Sequence, residues 1–442
     1  MNHPERRTSG PRRDLLAAGL AALLVTAAVV VGRAVEGSDG SLHVNWPPLY
    51  AVWDPHVGPG TPAALAVAAA VVAHGPALAA RLPWRALLAA SWAASTAWIW
   101  SLALVDGWHR GVAVRLTTKY EYLQVVDRFA DIPATLRDYT QYILLGEPGA
   151  YHWPVLLDRI GLGGGGWAGA FVITAGSTAV IAVLITLKAL GDEASARRAA
   201  PFLVLAPAAV WMGTSADGYF AAVAAWLTAL LALAATRTVR RPAVAACAAG
   251  LLYGLLCYLS YGLTLFAVIA AGVLVLARTV RPLPYFVAGA LVVPAVFTAF
   301  GFDWWEAYHL LVERYYQGAG GVRPYWYWIW ANPACTVLIA GLATVAGVRR
   351  AAGASPGAVR RWRAGASTAT DRVAGLALAA LLAVAVADAS GMSKAETERI
   401  WLPFAVLLLT ATALLPERGR RLWLTAQAVL ALAVNHLLLT GW

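Results

Sequence analysis

Ionisable side chains are almost missing from the long apolar runs of this chain. The runs that follow Ala168, Tyr219, Gly262, Tyr285 and Trp330 hold no Asp, Glu, Lys, Arg or His, while His74, Asp388 and His436 lie toward the ends of theirs. Proton-coupled carriers and pumps place ionisable groups near the bilayer midplane, so the scarcity argues against that class. Cysteine is nearly as sparse: Cys247, Cys257 and Cys335 all fall in apolar runs. The first two sit ten residues apart on one expected helix, about 15 Å along its axis and beyond disulfide reach. No Cys/His cluster has zinc spacing, so the cysteines read as small buried apolar residues. The glycine run Gly161 to Gly166 has no P-loop lysine after it, which excludes a phosphate-cradling nucleotide loop. Charge is scarce overall, at 13% of 442 residues with 60% hydrophobic, against about 25% charged in ordinary soluble domains.

What the sequence has instead is a series of apolar runs of about 20 residues, long enough to cross the hydrocarbon core. Thirteen are expected, with eleven as the lower bound. They start near Leu15, Pro62, Ala86, Ala168, Ala199, Tyr219, Ala243, Gly262, Tyr285, Trp330, Val373, Leu402 and Leu422. Most of the 34 Lys and Arg fall in short segments between them: Arg6 to Arg13, Arg81 to Arg85, Lys188 to Arg198, Arg237 to Arg241, Arg278 to Arg281, Arg349 to Arg372 and Arg418 to Arg421. Every second connection belongs to this set. Cytoplasmic loops are enriched in Lys and Arg, so the pattern predicts a cytoplasmic tail at residues 1–13 and an outward C-terminus. The Arg12-Arg13 pair then opens a first anchor helix rather than a cleaved export signal. The net charge of +11 belongs with anionic lipid and helix orientation, not with nucleic acid. Residues 349–372, rich in Ala, Gly, Ser and Arg, read as a mobile cytoplasmic linker.

Three outward loops are long: residues 34–61, 106–167 and 302–329. In the second, Tyr122, Val125, Val126, Phe129, Leu136, Tyr139 and Ile143 recur at helical intervals, broken at Pro133. That spacing predicts amphipathic helices on the membrane surface. The third is crowded with Trp and Tyr, Trp304 and Tyr315 among them. Acidic residues collect in the outward segments, including Glu36, Asp39, Asp54, Asp106, Glu121, Asp131, Asp217, Asp303, Glu396 and Glu398.

A carboxylate at such a surface can act as a general base for a sugar hydroxyl. An arginine can hold a phosphate bidentately, and aromatic faces can hold a sugar ring or an isoprenoid chain. Each group also has a plainer explanation. The aromatics suit an interfacial belt, and Asp217 suits a helix cap. Arg399 can pair with Glu396 or Glu398 at helical spacing, and Asp39 sits among Gly and Ser as turn residues do.

Three stretches carry a resemblance: Tyr120-Glu121-Tyr122-Leu123, Leu157-Asp158-Arg159-Ile160-Gly161-Leu162-Gly163-Gly164, and Glu398-Arg399-Ile400-Trp401-Leu402-Pro403-Phe404. With the span pattern, the chain resembles an actinobacterial integral membrane protein of the GT-C glycosyltransferase type. The resemblance implies an all-α polytopic fold, a polyprenyl-phosphate sugar donor, an active site at the external face and a catalytic acidic residue in the first outer loop. Asp39 and Asp54 are the matching positions. Related sequences carry a His-Pro-Pro-Gly element before the Leu-Asp-Arg-Ile-Gly stretch; here the region from Pro148 to Val155 is shortened. On this reading Asp39 or Asp54 deprotonates a glycan or glycolipid acceptor. Arg399, with Lys394, holds the donor phosphate. Asp217, Glu121, His152, Trp304 and Tyr315 contact substrate. Whether a divalent metal bridges the phosphate stays open at this level. The competing reading is a non-enzymatic membrane protein, either a carrier of a lipid-linked substrate or an envelope-assembly scaffold.

The charge pattern makes a direct forecast. Reporters active only in the cytoplasm should work when fused after Arg241 or Arg350. Reporters active only outside it should work after Gly318 or at Trp442. The opposite result at Gly318 would place the aromatic loop inside.

Overall fold

The computed structural model describes residues 9–118, 121–139, 152–213 and 215–441. These are overwhelmingly helical, and seven helices among them are long and apolar enough to cross a membrane. They are Gly10–Asp39, Thr61–Arg81, Trp84–Asp106, Gly165–Leu190, Asp217–Thr236, Pro242–Leu259 and Ala369–Ala389. Two bent pairs bring the number to nine if each is one span: Leu283–Ala299 with Trp304–Gln317, bent by 81°, and Tyr325–Ala340 with Leu342–Arg363, bent by 111°. The other expected runs are shorter or less apolar. The one near Ala199 is a 12-residue helix, Glu193–Val204, interrupted before Pro207, which has no N–H to continue it. Those near Gly262 and Leu402 mix 3-10 and α turns, as Tyr261–Leu265 with Phe266–Leu276 and Leu402–Leu408 with Leu409–Leu414. The last, Arg420–Leu437, opens on two arginines.

The basic segments gather at one end of the bundle. Buried Asp14 accepts from Arg350 Nε and Nη2 at 2.8 and 2.5 Å. Arg197 donates to the carbonyls of Ala79 and Leu82, and Lys188 lies over the Trp84 ring. Arg372 donates to Leu190 O, Arg278 to Trp362 O, and Arg198 to Ala413 O. Arg197, Arg198 and Arg372 thereby donate to carbonyls at or near helix ends, where the last turn leaves acceptors without an intrahelical partner. The expected mobile linker is corrected here. Residues 349–363 belong to the helix Leu342–Arg363, and Arg361 pairs with Asp371 just beyond it.

The opposite end is closed by loops. A two-stranded antiparallel sheet joins β1 (Ala51–Trp53) to β2 (Leu438–Thr440), with Val52 opposite Leu439. Flanking bonds from Asp54 N to Leu437 O and from His56 N to His436 O extend the staple. The first of the expected outer loops is shorter than its expected bounds, because the opening helix runs to Asp39. Gly40 ends it in the left-handed region at φ 65°, where glycine carries no Cβ penalty. In the second loop the expected surface helices are a 3-10 stretch Tyr122–Ala130 and a helix Ile132–Arg137. Pro133 sits in the first turn of the latter, and Asp131 caps it by accepting from Ala134 N. Tyr120, Ile143 and residues 148–151 of the shortened element fall outside the described residues. The aromatic loop is largely the helix Trp304–Gln317, capped by Asp303.

Helix contacts rest on small residues. Asp217–Thr236 is the central helix, buried along Ala221, Ala224, Ala225, Ala229 and Ala232. Pro242–Leu259 meets Leu283–Ala299 through Gly250 and Gly254 on one side and Gly289 on the other. A Cβ on Gly250 would lie 1.9 Å from Phe286 O, and one on Gly289 would lie 2.0 Å from Cys247 O. Without a hydrophobic driving force between helices in lipid, such close backbone approach is what holds them. Of the cysteines, Cys335 is buried as expected and Cys257 is intermediate, but Cys247 is exposed on its helix.

Gly250→Val should therefore separate these two helices. Overpacking of this kind costs about 1–3 kcal/mol, read as a lowered unfolding midpoint in detergent. Ala248→Val, on the same helix, is the control. Equal midpoints for Gly250→Val and wild type would refute the close-packing account.

Candidate functional site

The segment from Gly391 to Trp401 organises the loop end. It leaves the helix Ala369–Ala389 through Gly391 at φ 68°, then holds Ala395 and Glu396 at φ 75° and 61°. Two successive non-glycine residues in the left-handed region cost on the order of 1–3 kcal/mol each and persist only where surroundings over-determine them. Here they do. Ala395 is buried, and Glu396 takes Arg399 Nη2 at 2.9 Å, with Arg323 Nη1 at 3.8 Å.

Arg399 reaches Asp217 with its other terminal nitrogen, 3.0 Å from Oδ2. One guanidinium thus bridges a carboxylate on the central helix and one in its own turn. Asp217 does not cap its helix: Ala216 occupies that position, and no side chain caps it. Arg323 is the second organiser. It is 8% exposed and donates to Leu42 O at 2.9 Å, Lys394 O at 2.8 Å and His43 O at 3.3 Å. Three loops distant in sequence meet on that side chain. Lys394 Nζ donates to Gly320 O at 2.9 Å, and burial pushes its ammonium down from its ordinary pKa. Its backbone N–H donates to the Tyr315 hydroxyl at 3.2 Å, and that hydroxyl donates to Gly391 O at 3.4 Å.

Beneath this surface the polar groups are buried. Glu398 is fully buried and accepts from Tyr50 N at 2.9 Å. Its other carboxyl oxygen has no hydrogen-bond partner among the described residues. Burial pushes its pKa up to about 7, since the charged form loses its hydration. Asn332 donates to Asp388 Oδ1 at 2.9 Å and to Ser393 O at 2.7 Å.

A separate polar cluster sits beside the sheet. His56 Nε2 lies 2.9 Å from Asp106 Oδ1, and Arg115 Nη2 lies 2.8 Å from Asp106 Oδ2. Arg115 also donates to Thr440 O at 2.6 Å. Asp54 is at its rim, half-exposed and 3.2 Å from Arg110.

A cavity of about 980 Å³ opens between the second loop, the aromatic helix and the 391–401 segment. Phe129, Tyr139, Tyr261, Trp304, Tyr308 and Phe404 are among its walls. Trp304 stacks on Tyr308 with ring centroids 5.8 Å apart and donates its indole N–H to Cys257 O at 3.1 Å. The aromatic loop therefore divides. Trp304, Trp305 and Tyr308 line the cavity, Tyr327 and Trp328 are fully buried, and Trp326 is exposed as an interfacial belt would have it.

The sequence candidates distribute accordingly. Asp217, Arg399, Lys394 and Tyr315 converge on one network, and Trp304 lines the neighbouring cavity. Asp39 is exposed at the end of its helix and accepts from Ser41 N at 2.8 Å, as a turn residue does. Asp54 belongs to the other cluster, so the two first-loop carboxylates do not join Arg399. Glu121 immediately precedes the 3-10 stretch of the second loop, and His152 opens the helix His152–Arg159. Arg323 and Glu398 are the residues that sequence reasoning passed over as site-builders. An Arg directly before Pro324 in an aromatic loop was the available signal for the first. Among the described residues no group of three or more His, Cys, Asp or Glu is placed to hold a metal ion. No protein-family model matches the chain, and neither a curated protein nor a solved structure matches it.

The raised pKa of Glu398 has a stability consequence. The folded state keeps a proton that the unfolded chain releases near its ordinary value of about 4.5. This contribution is complete below that pH and is lost as pH climbs through about 7. Glu398→Gln keeps the acceptor for Tyr50 N and cannot ionise. Its unfolding midpoint in detergent should fall less than wild type between pH 5 and pH 8; parallel curves would overturn the assignment.

Proposed function

We propose that the protein is a membrane glycosyltransferase that moves a sugar from a polyprenyl-phosphate donor to a cell-envelope acceptor at the outer face. The observation that carries this reading is the aromatic cavity of about 980 Å³ beside the 391–401 segment. Such a space takes an isoprenoid chain, because aromatic and aliphatic walls remove its apolar surface from water. The thirteen apolar segments all cross the bilayer on this reading, with the arginine end cytoplasmic. Support comes from the shorter ones, which also reach the arginine end. Glu193–Val204 begins beside Ala79 through Arg197, and Leu402–Leu414 ends where Arg198 meets Ala413 O. The acceptor base is Asp39, exposed at the loop end, or Asp54, half-exposed there, and both are within reach of a hydrated glycan. The bridge from Arg399 to Asp217 and Glu396 fixes the wall between the cavity and the loops. Lys394 and Tyr315 hold the same wall.

A second reading is favoured by one specific observation: no Asp or Glu lines the cavity among the described residues. That suits a non-enzymatic carrier or scaffold which binds a lipid-linked sugar without cleaving it.

Purified protein supplied with polyprenyl-phosphate sugar and an envelope glycan extract separates the two. Transfer of label to the glycan is expected, with loss of the corresponding glycolipid or polysaccharide in a deletion strain. The double variant Asp39→Asn with Asp54→Asn should lose about 100- to 10,000-fold in rate, as removal of a positioned base does, while still inserting in the membrane. Binding of the donor without any turnover would favour the carrier reading.

A further inference from the structure

The cavity is apolar along nearly all of its wall, yet one charged side chain reaches it. Among the described lining residues, Arg159 alone is ionised. It ends the helix His152–Arg159 and is exposed. Its Nη2 donates to Phe129 O at 2.8 Å and to Ala130 O at 3.3 Å. Both bonds use one terminal nitrogen. They fix the guanidinium against the second loop and leave its remaining N–H groups for another acceptor. Arg399, by contrast, does not line the cavity and spends two nitrogens on carboxylates.

We propose that Arg159 is the anion anchor of this cavity, and that its ligand is a single-chain lipid phosphate whose chain fills the apolar space. The argument is charge complementarity. One large apolar volume with one cation matches one long chain with one anionic head. A planar guanidinium with free N–H groups suits phosphate oxygens. The walls add Ser260, Thr264, Ser390 and Ser393 as neutral polar groups. The inference rests on reading the cavity as the lipid site of the proposed transferase, and it moves the phosphate contact from Arg399 to Arg159.

The test uses the full chain in nanodiscs of neutral lipid, with tryptophan fluorescence reporting on Trp304 and Trp305. Polyprenyl phosphate and polyprenol of the same chain length are titrated separately. Wild type should bind the phosphate at least about tenfold more tightly than the alcohol, the scale of one charge-assisted hydrogen bond. Arg159→Gln should reduce phosphate binding to the level of the alcohol and leave alcohol binding unchanged. That unchanged binding also shows that the variant is folded. Arg159→Lys should fall between them, because the charge stays and the fork is lost. A phosphate preference that survives in Arg159→Gln and disappears in Arg399→Gln would overturn the assignment and leave the lipid site intact. Failure of wild type to bind either lipid would overturn both this inference and the function on which it rests.

Discussion

A charge without a partner is too costly in hydrocarbon to be placed there at random, and that cost orders the molecule. Its arginines close one end of the bundle by donating to helix carbonyls, and its carboxylates and aromatic loops close the other. Between the ends, the closest helix approaches run through Ala and Gly, with a few interhelical hydrogen bonds such as those of Trp92 and Thr96 to Ser177. Gly250, Gly254 and Gly289 bring two backbones to a distance that no side chain would permit. The bilayer gives no reward for burying a leucine against another helix, so close van der Waals approach carries the packing. Three of the buried acids among the described residues fit the same rule, while Asp388 and Glu398 have only neutral partners. Asp14 is paired with Arg349 and Arg350, Asp371 with Arg361, and Asp217 with Arg399.

At the loop end two guanidiniums do most of the joining. Arg323 binds three backbone carbonyls, which ties the first loop to the 391–401 segment across a third. Arg399 binds two carboxylates from separate elements. Together they hold Ala395 and Glu396 in a backbone conformation that neither would adopt alone. The result is a rigid wall, with its ionic face toward the loops and its apolar face, at Ile400, Trp401 and Phe404, toward the cavity. Glu398 lies in the same turn and is kept from water altogether. Its backbone partner Tyr50 belongs to the loop stapled by the sheet, so a change in its protonation would be felt across the whole loop end.

Much of this was legible in the sequence and part was not. The alternation of basic segments predicted which connections share an end, and the contacts of Arg197, Arg278, Arg350 and Arg372 follow it. Helical spacing found the amphipathic stretches around Pro133. The same spacing could not show that the arginine-rich stretch from Arg349 is helical, because its Ala, Gly and Ser content reads equally as linker; the helix is held by Asp14 and by packing on its small residues. Nor could it show that the first helix persists to Asp39. For the site, Arg399 with Glu396 followed from helical spacing, but Asp217 joins them from 182 residues away, a distance no local pattern reports. Asp39 and Asp54 were chosen because they share a loop. The fold assigns one to a turn and the other to the cluster around His56.

That division bears on mechanism. A transferase needs a base near the acceptor and an anion holder near the donor, and they need not come from one network. The cavity offers apolar walls and one arginine, but no carboxylate among its described lining residues. A donor chain seated there would bring its phosphate to the rim, and the acceptor would arrive from the watery side, where Asp39 is exposed and Asp54 half-exposed. The polar bridge of Arg399, Asp217 and Glu396 stands at the intervening wall. Its two ion pairs are internal, which suits a group that sets the spacing between donor and acceptor better than one that must open to take a phosphate. Positioning of this kind contributes to rate without proton transfer, since a misplacement of about 1 Å in reacting groups can cost 100-fold.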